Sequence, residues 1–389
     1  MKTQVGIIGG GPSGLLLSQI LHLAGIDNVV LERQSRDYVL RRIRAGVLEQ
    51  GTCNMLRQAQ VGDRMDREGQ IHTGFALAFD DDLTRIDLES LAGGKTVMVY
   101  GQTEVTRDLY HARDAMDGAI IHDAADVTPH DVNSDAPYLT WSQGGDMHRL
   151  DCDFIAACDG AHGVGRKSIP KDVLKEYEQV YPFGWLGVLS RTTPAYEELI
   201  YAGGSNGFAL CSMRNESLSR YYVQAPLDTD VAAFSDERFW EELKARIPAD
   251  IARGMETGPS IEKSISPLRS YVAEPLQYGR LFLAGDAGHI VPPTGAKGLN
   301  LAVSDIRYLS DGLIAYYRGD EAPLRAYSET ALRRVWKTER FSWYMTMLLH
   351  SFPGESDFRS KMRAAEVDYV ASSRAAQTSI AENYVGLPY

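Results

Sequence analysis

The sequence predicts an α/β protein in which a Rossmann-like domain is joined to an antiparallel β-sheet domain and followed by a C-terminal helical region. Three observations carry the prediction. An apolar strand, a glycine turn and an apolar helical pattern follow one another from Gln4 to Ala24. Two later apolar runs, Phe154 to Ala157 and Leu281 to Ala284, each lead into a turn that pairs glycine with an acid. Between them the chain alternates with period two from Trp185 to Gln224, and after them a long helical pattern runs from Ala322 to Leu349.

The first element sets the rest. Gly9, Gly11 and Gly14, with Pro12 and Ser13 between them, stand at G-x-G-x-x-G spacing directly after Val5-Gly6-Ile7-Ile8. In a dinucleotide turn the first glycine lets the chain reverse, the second lets backbone approach a pyrophosphate, and the third lets the helix pack on the strand. The N–H groups at the helix start then face the anion. A second apolar run, Val29-Val30-Leu31, ends in Glu32, about twenty residues on, where an acid accepts ribose hydroxyls. The glycines alone are a common turn. A strand before, a helix after and an acid at the next strand tip make them a dinucleotide site.

Composition narrows the class. A chain of 389 residues buries a substantial core and predicts two domains. Hydrophobic content of 44% and charged content of 24% are those of a soluble globular protein. No apolar run reaches the roughly 20 residues of a membrane span. The N-terminal run is needed as the first strand and does not read as a signal peptide. Cys53, Cys152, Cys158 and Cys211 form no C-x-x-C pair, which predicts free thiols in a reducing cytoplasm. The histidines are scattered, none at ligand spacing from a cysteine, so no metal is expected. A net charge of −12 argues against nucleic acid. Arg33, Arg36, Arg41, Arg42 and Arg44 nevertheless crowd the segment after Glu32. They are either a phosphate-binding patch or a solvated helix face.

The remaining elements follow in order. Val47, Leu48, Met55 and Leu56 recur at helical spacing between Gly46 and Asp66. Ile71 to Leu88 alternates around Asp80-Asp81-Asp82, which predicts a hairpin. Val97 to Tyr100 reads as a strand and Gln102 to Asp117 as a helix. Ile120-Ile121 and Tyr138 to Trp141 read as strands of one meander. Asp159-Gly160 after Phe154 to Ala157 is either a ligand-bearing strand tip or an ordinary Asp-Gly turn. Past Pro170, the alternating segments up to Gln224 predict the antiparallel second domain, and Phe239 to Ile247 a helix. Gly285-Asp286 follows the apolar run ending at Ala284, Pro292-Pro293-Thr294-Gly295 turns the chain, and a helix starts near Asn300. Trp336, Phe341, Trp343 and Tyr344 are an aromatic stripe for a core or a subunit interface.

Taken together, the glycine motif with Glu32, Asp159-Gly160 and Gly285-Asp286 resemble the class A flavoprotein aromatic monooxygenases. Four further stretches narrow the resemblance to the branch of that family that acts on 4-hydroxybenzoate. They are Arg42-Ile43-Arg44-Ala45-Gly46-Val47, Tyr100-Gly101-Gln102-Thr103-Glu104, the run Val291 to Asn300, and the tail Glu382 to Tyr389. The resemblance covers the whole chain. It implies an FAD-binding domain of residues 1–71, 97–180 and 268–315. A substrate-binding sheet domain would comprise 72–96 and 181–267, and a helical interface region 316–389. It implies FAD held by Gly9, Gly11, Ser13, Gly14, Glu32, Arg42, Arg44, Val47, Gln102, Asp159, Asp286, Leu299 and Asn300. The helix start at Leu299-Asn300 would stabilise negative charge on a reduced flavin. With a single G-x-G-x-x-G, the nicotinamide coenzyme would lie in a shallow groove of Arg33, Gln34, Tyr38, Arg42, Arg44, His162, Arg166 and Arg269. The arginines fit a 2′-phosphate and so NADPH, with NADH the alternative. Ala161, Arg41 and Gly288 depart from the residues the family leads one to expect, the first two near that groove.

The resemblance also implies the substrate site. Ser212 and Arg214 are two apart on one strand, hence on one face, with Arg220 and Tyr222 on the return strand. Ser212, Arg214 and Tyr222 would hold a carboxylate, for which an arginine fork is suited. Tyr201 would meet the phenol, Tyr384 and His72 would relay its proton to solvent, and the carbonyl of Pro293 would accept from the substrate hydroxyl. The implied reaction is NADPH- and O2-dependent hydroxylation of 4-hydroxybenzoate to 3,4-dihydroxybenzoate through a flavin hydroperoxide and a substrate phenolate, in a cytoplasmic homodimer. Two alternatives are the same chemistry on another hydroxybenzoate, such as 3,4-dihydroxybenzoate, and a non-enzymatic binding protein of flavoprotein fold. A disulfide reductase would need a cysteine pair and a second glycine motif, and both are absent.

Overall fold

A computed structural model describes residues 1–41 and 46–389. Its first layer is a six-stranded sheet in the order Gln277–Tyr278, Leu281–Leu283, Phe154–Ala157, Val5–Ile8, Asn28–Leu31, Ile120–Ile121. All pairings are parallel except that of the first two strands. Val5–Ile8, Asn28–Leu31, Phe154–Ala157 and Leu281–Leu283 are buried throughout, as a parallel sheet covered on both faces requires. The helix Pro12–Leu23 opens with proline, whose missing N–H costs nothing in a first turn. It packs against the helices Gln102–Ala115 and Gly298–Tyr317. Because the four apolar runs are parallel neighbours, their C-terminal ends bring Gly9, Glu32, Asp159 and Gly285 to one edge of the sheet. Ligands bind there in open α/β sheets.

One expectation fails in this layer. Ile120–Ile121 does not belong to the meander; it pairs in parallel with Asn28–Leu31 as the edge strand. The meander consists of Ala125–His130, Tyr138–Gln143 and Asp146–Asp151. A two-residue strand carries too little periodicity to say which sheet it joins.

The second layer is an eight-stranded sheet in the order His289–Ile290, Ser260–Glu274, Lys175–Ser190, Leu218–Ala225, Ala209–Asn215, Ile200–Gly203, Gly74–Phe79, Asp82–Asp87. It is antiparallel except where Ile200–Gly203 runs parallel to Gly74–Phe79. The predicted hairpin is the pair Gly74–Phe79 and Asp82–Asp87. Alternation assigns the two faces cleanly. Phe75, Leu77, Tyr201, Phe208, Leu210 and Trp185 pack with the C-terminal residues Phe341, Met345, Leu349 and Tyr384. Ala76, Ala78, Ile200, Ala202, Ala209 and Cys211 pack on the other side with Phe239, Trp240 and Leu243 of the helix Asp236–Lys244.

The C-terminal pattern divides into Ala322–Arg325 and Tyr327–Leu349, followed by Asp357–Ser372 and Arg374–Tyr384. Ser356 and Ser373 cap the last two, accepting from Arg359 N and Ala376 N. The helix Asp357–Ser372 buries only Val370 and leaves Phe358, Met362 and Tyr369 exposed. Among the described residues, no helix is long and apolar enough to cross a membrane.

Candidate functional site

The glycine turn has the three geometries its spacing predicts. Gly9 has φ +105°, and a Cβ there would lie 2.3 Å from Cys158 O. A Cβ on Gly14 would lie 2.0 Å from Gly9 O, so only glycine lets the helix approach the strand. Gly11 has nothing within 4 Å of the corresponding position: it faces open space, where a phosphate can reach backbone. Gly160 and Gly298 are open in the same way. Ser13 lies in the first turn of the helix, its side chain 3.1 Å from the Cβ position of Gly285 in the second glycine–acid turn.

The acids divide by what they hold. Glu32 accepts from Gly10 N at 2.6 Å and Gln34 N at 2.8 Å, which braces the turn and leaves lone pairs for hydroxyl donors. Asp159 Oδ2 accepts from Gly165 N at 2.8 Å, while Oδ1 is buried with no hydrogen-bond partner, and burial raises its pKa. Asp286 is exposed on a turn whose Gly285 has φ +63°. That turn is pinned from behind: Asp305 Oδ2 accepts from Gly285 N at 2.8 Å and from His289 Nε2 at 2.6 Å. Gln102 begins its helix, with no side-chain cap before it. Leu299 is half-buried near the start of the helix Gly298–Tyr317. Asn300 is fully engaged: Oδ1 accepts from Glu49 N and Thr52 Oγ1 at 2.9 and 2.7 Å, and Nδ2 donates to Val47 O and Ala296 O at 2.9 and 2.8 Å. Val47 and Leu48, read from the sequence as helical, form a short strand ahead of the helix Gln50–Gln58, and the Asn300 side chain ties that strand to the helix Gly298–Tyr317, leaving only backbone for a ligand. Arg42 and Arg44 lie outside the described residues. An open glycine cradle, an orphaned Asp159 oxygen, an exposed acid and an open helix start all meet at one sheet edge. They fit a flavin dinucleotide.

The expected coenzyme groove is unevenly free. Arg33, Tyr38 and His162 are exposed, and Gln34 is half-buried. Arg166 donates to Ala287 O at 3.0 Å and Ala161 O at 2.8 Å, which joins the two later glycine–acid turns. Arg269 pairs with Glu178 at 3.2 Å. Arg36 pairs with Asp114 at 2.7 Å, so the basic patch after Glu32 is partly neutralised by the protein itself.

The substrate-site residues meet on the inner face of the large sheet. Leu77, Tyr201, Leu210, Tyr222 and Gly187 are register partners across five strands, and Ser212 faces Arg220 in the row beside them. Two strand spacings, roughly 10 Å, separate the backbones of Tyr201 and Tyr222. Tyr201 and Tyr384, both buried, share a hydrogen bond of 2.9 Å between their hydroxyls. Burial pushes the Tyr201 phenol up to about 12, with Tyr384 pulling the other way, and holds Tyr384 well above the ordinary tyrosine value. His72 is buried with Nδ1 unpartnered, and burial lowers its pKa. No hydrogen bond joins it to Tyr384 among the described residues, so two members of the expected relay meet and the third stands apart. Pro293 is exposed, its carbonyl accepting from Ala296 N at 2.9 Å.

The two arginines differ sharply. Arg220 pairs with Glu262 at 3.0 Å. Arg214 donates to Met213 O at 3.2 Å, its Nε is buried without a partner, and no carboxylate pairs with it among the described residues. Burial lowers its pKa, with Tyr222 beside it pulling the other way. Ser212 Oγ donates across the sheet to Arg220 O at 2.8 Å.

Sequence reasoning missed Lys297 and Glu49. Lys297 Nζ donates to Glu49 Oε1 at 2.7 Å and to Tyr384 O at 2.9 Å, all buried. It is the only charged residue in the run Val291 to Asn300, which was the one signal available. A cleft of 320 Å³ beside Phe234, Arg238 and Arg246 is lined by Val223 and Ala225, which pack on the sheet's opposite face, so it is not this site.

Comparison with known proteins bears on this arrangement. The family model for the FAD binding domain matches residues 2–342. The p-hydroxybenzoate hydroxylase of Acinetobacter baylyi is 54% identical over 390 residues, which cover 100% of this chain and 96% of that one. The para-nitrophenol 4-monooxygenase of Pseudomonas sp. (strain WBC-3) is 25% identical over 336 residues, 79% of this chain and 77% of that protein. Among solved structures, p-nitrophenol 4-monooxygenase from Pseudomonas putida DLL-E4 superposes with a TM-score of 0.84 at 20% identity over 100% of both chains. That last likeness is one of fold.

Proposed function

From the premise that this chain belongs to the FAD-binding family, within its p-hydroxybenzoate hydroxylases, we propose that it hydroxylates 4-hydroxybenzoate to 3,4-dihydroxybenzoate with NADPH and O2. The carrying observation is that Arg214, with no carboxylate partner among the described residues, lies beside Tyr222 on the sheet that also carries the buried Tyr201–Tyr384 pair. A single ring with a carboxylate at one end and a phenol at the other satisfies both. FAD, when bound, supplies reduction by the coenzyme and activation of oxygen. The protein supplies position and charge. Arg214, with Ser212 and Tyr222 beside it, neutralises the carboxylate. Tyr201 accepts the phenol proton as its own passes to Tyr384, and loss of that proton enriches the ring carbon beside the oxygen. Lys297, ion-paired with Glu49, donates to the Tyr384 carbonyl and so holds the tyrosine pair in place. Pro293 O accepts from the substrate hydroxyl, and His72, buried with Nδ1 free, would pass the proton on toward solvent. The packed aromatic wall excludes water.

FAD would rest on Gly9, Gly11, Ser13 and Gly14, with Glu32 on the ribose, Gln102, Asp159 and Asp286 on the remaining chain, and Val47, Leu299 and Asn300 offering backbone near the ring. Arg42 and Arg44 complete the set. NADPH would use Arg33, Gln34, Tyr38, Arg44, His162, Arg166 and Arg269, with Arg33, Tyr38 and His162 already exposed. The proposed division is residues 1–71, 97–180 and 268–315, against 72–96 and 181–267, with 316–389 as the interface region; the first set holds the whole six-stranded sheet, and also His289–Ile290 of the large sheet. The strands Lys175–Ser190 and Ser260–Glu274 run continuously across the division. The exposed Phe358, Met362 and Tyr369 on one helix support a homodimer, and the free cysteines a cytoplasmic setting.

The test is NADPH oxidation by the purified yellow protein with 4-hydroxybenzoate, 3-hydroxybenzoate, 3,4-dihydroxybenzoate and 4-hydroxybenzyl alcohol. The 4-hydroxy acid is expected to stimulate most and the alcohol, lacking the carboxylate, least. Equal stimulation by acid and alcohol contradicts the reading.

A further inference from the structure

The last turn of the helix Tyr327–Leu349 touches both walls of the substrate pocket. Thr346 Oγ1 donates to Ser342 O at 2.8 Å within the helix, so in its 2.9 Å contact with Thr294 it is the acceptor. Thr294 is fully buried and follows Pro293, at the phenol end. One turn further along, His350 is completely buried. Its Nδ1 lies 3.0 Å from Thr346 O, a carbonyl that only accepts, so Nδ1 carries the proton and Nε2 is free to accept. Nε2 takes the indole N–H of Trp185 at 2.8 Å. The imidazole also stacks on Phe208 at 4.3 Å and Phe183 at 4.8 Å. Trp185 in turn stacks on Phe208 at 4.7 Å and leans on Tyr222 at 5.2 Å, at the carboxylate end.

We propose that Thr346 and His350 are specificity-determining positioning residues: one helical turn hydrogen-bonds the Pro293–Thr294 turn and the Trp185 wall together, and so fixes the width of the substrate pocket. Thr346 lies in the last helical turn and His350 is the residue that caps it, its backbone N–H bonded to Thr346 O, so neither wall yields without breaking a buried hydrogen bond. The bracket needs a neutral imidazole, and burial holds His350 down at about 3, far below any working pH. This inference rests on the proposed hydroxybenzoate reaction for its meaning in catalysis, but its geometry is independent of it.

Two variants test it. His350→Phe keeps the ring stack and removes the acceptor for Trp185, and Thr346→Val keeps the shape and removes the acceptor for Thr294. In each, with FAD content matching wild type, KM for 4-hydroxybenzoate is expected to rise while kcat stays within about twofold. The kcat/KM preference for 4-hydroxybenzoate over the wider 3,4-dihydroxybenzoate should narrow about tenfold, the size of effect a loosened pocket wall produces. His350→Phe should also shift tryptophan emission in the substrate-free protein, and Thr346→Val should not. A variant that holds FAD yet keeps wild-type preference and emission overturns the bracket. If His350→Phe fails to fold, Thr346→Val alone decides by the preference ratio. A wild-type protein that hydroxylates no benzoate refutes the reaction reading instead, and the emission of His350→Phe still decides whether the bracket holds Trp185.

Discussion

Arg214 and Arg220 lie six residues apart on neighbouring strands, yet they do opposite work. Arg220 forms an ion pair with Glu262 at 3.0 Å, while Arg214 has no carboxylate partner among the described residues. A buried cation without a partner is costly, and an anionic substrate removes that cost. Replacing Arg214 with alanine is therefore expected to weaken 4-hydroxybenzoate binding by about 2–3 kcal/mol, as loss of a charged hydrogen-bonding partner does. A titration of the flavin spectrum with substrate measures it, and unchanged affinity would remove Arg214 from the site. Arg214→Lys should also bind poorly, since a point charge does not reproduce the planar fork. The sequence put Ser212, Arg214 and Tyr222 on one face by assuming strict alternation, but the pairing is irregular between Met213 and Asn215, and it is contact with Tyr222 that keeps Arg214 with the others. It did not reveal which arginine was free, because Glu262 is far away in the chain and reaches Arg220 only through sheet pairing. Lys297 and Glu49 escaped for the same reason: 248 residues separate a pair that is meaningful only when buried together.

At the scale of elements, what was legible was whatever repeats locally. The glycine turn, the three apolar strands and the hairpin at Asp80 are written in short-range spacing, and the structure has all of them. The strands Lys175–Ser190 and Ser260–Glu274 were barely visible, because irregular pairing between Val180 and Gly184 breaks the alternation. The helix Asp357–Ser372 has only Val370 buried, so it lacks the apolar stripe by which a packed helix is recognised. The three glycines of the first turn offer a clean separation of folding from binding. Gly14→Ala places a methyl 2.0 Å from Gly9 O and is expected to lower stability by about 1–3 kcal/mol. Gly11→Ala meets nothing within 4 Å, so the apoprotein should melt as wild type does, while FAD binding weakens about tenfold or more because the methyl fills the phosphate's approach. Thermal melts of apoprotein and fluorescence titration with FAD check both. Equal FAD affinity in Gly11→Ala would place the cofactor elsewhere.

At the scale of the whole molecule, the site lies where two sheets and a helical cap converge, and the convergence buries ionisable groups that the chemistry does not use. Glu339, on the long helix Tyr327–Leu349, is pushed by burial from 4.5 to about 7. A carboxyl with a raised folded-state pKa binds its proton more tightly when folded. Its contribution to stability is thus full below about 4.5 and is lost as pH rises through about 7. Glu339→Gln removes that dependence. Its melting temperature, measured relative to wild type, should move upward between pH 4.5 and pH 7 and level off above. A flat difference across that interval would mean Glu339 is not protonated in the folded protein. His350 contributes the opposite slope: held at about 3 by burial, it destabilises the fold as pH falls below 6.5, because the unfolded chain takes up a proton the folded chain refuses.

The central claim is that a ring anchored by Arg214 loses its phenol proton through Tyr201 and Tyr384 and is hydroxylated beside that oxygen. The most direct measurement is the ratio of 3,4-dihydroxybenzoate formed to NADPH consumed, in wild type and in Tyr201→Phe. The account predicts a ratio near one for wild type. In the variant, NADPH should still be oxidised but the ratio should collapse, with peroxide released in place of product. A wild type that forms no 3,4-dihydroxybenzoate, or a variant that hydroxylates as efficiently as wild type, would contradict it.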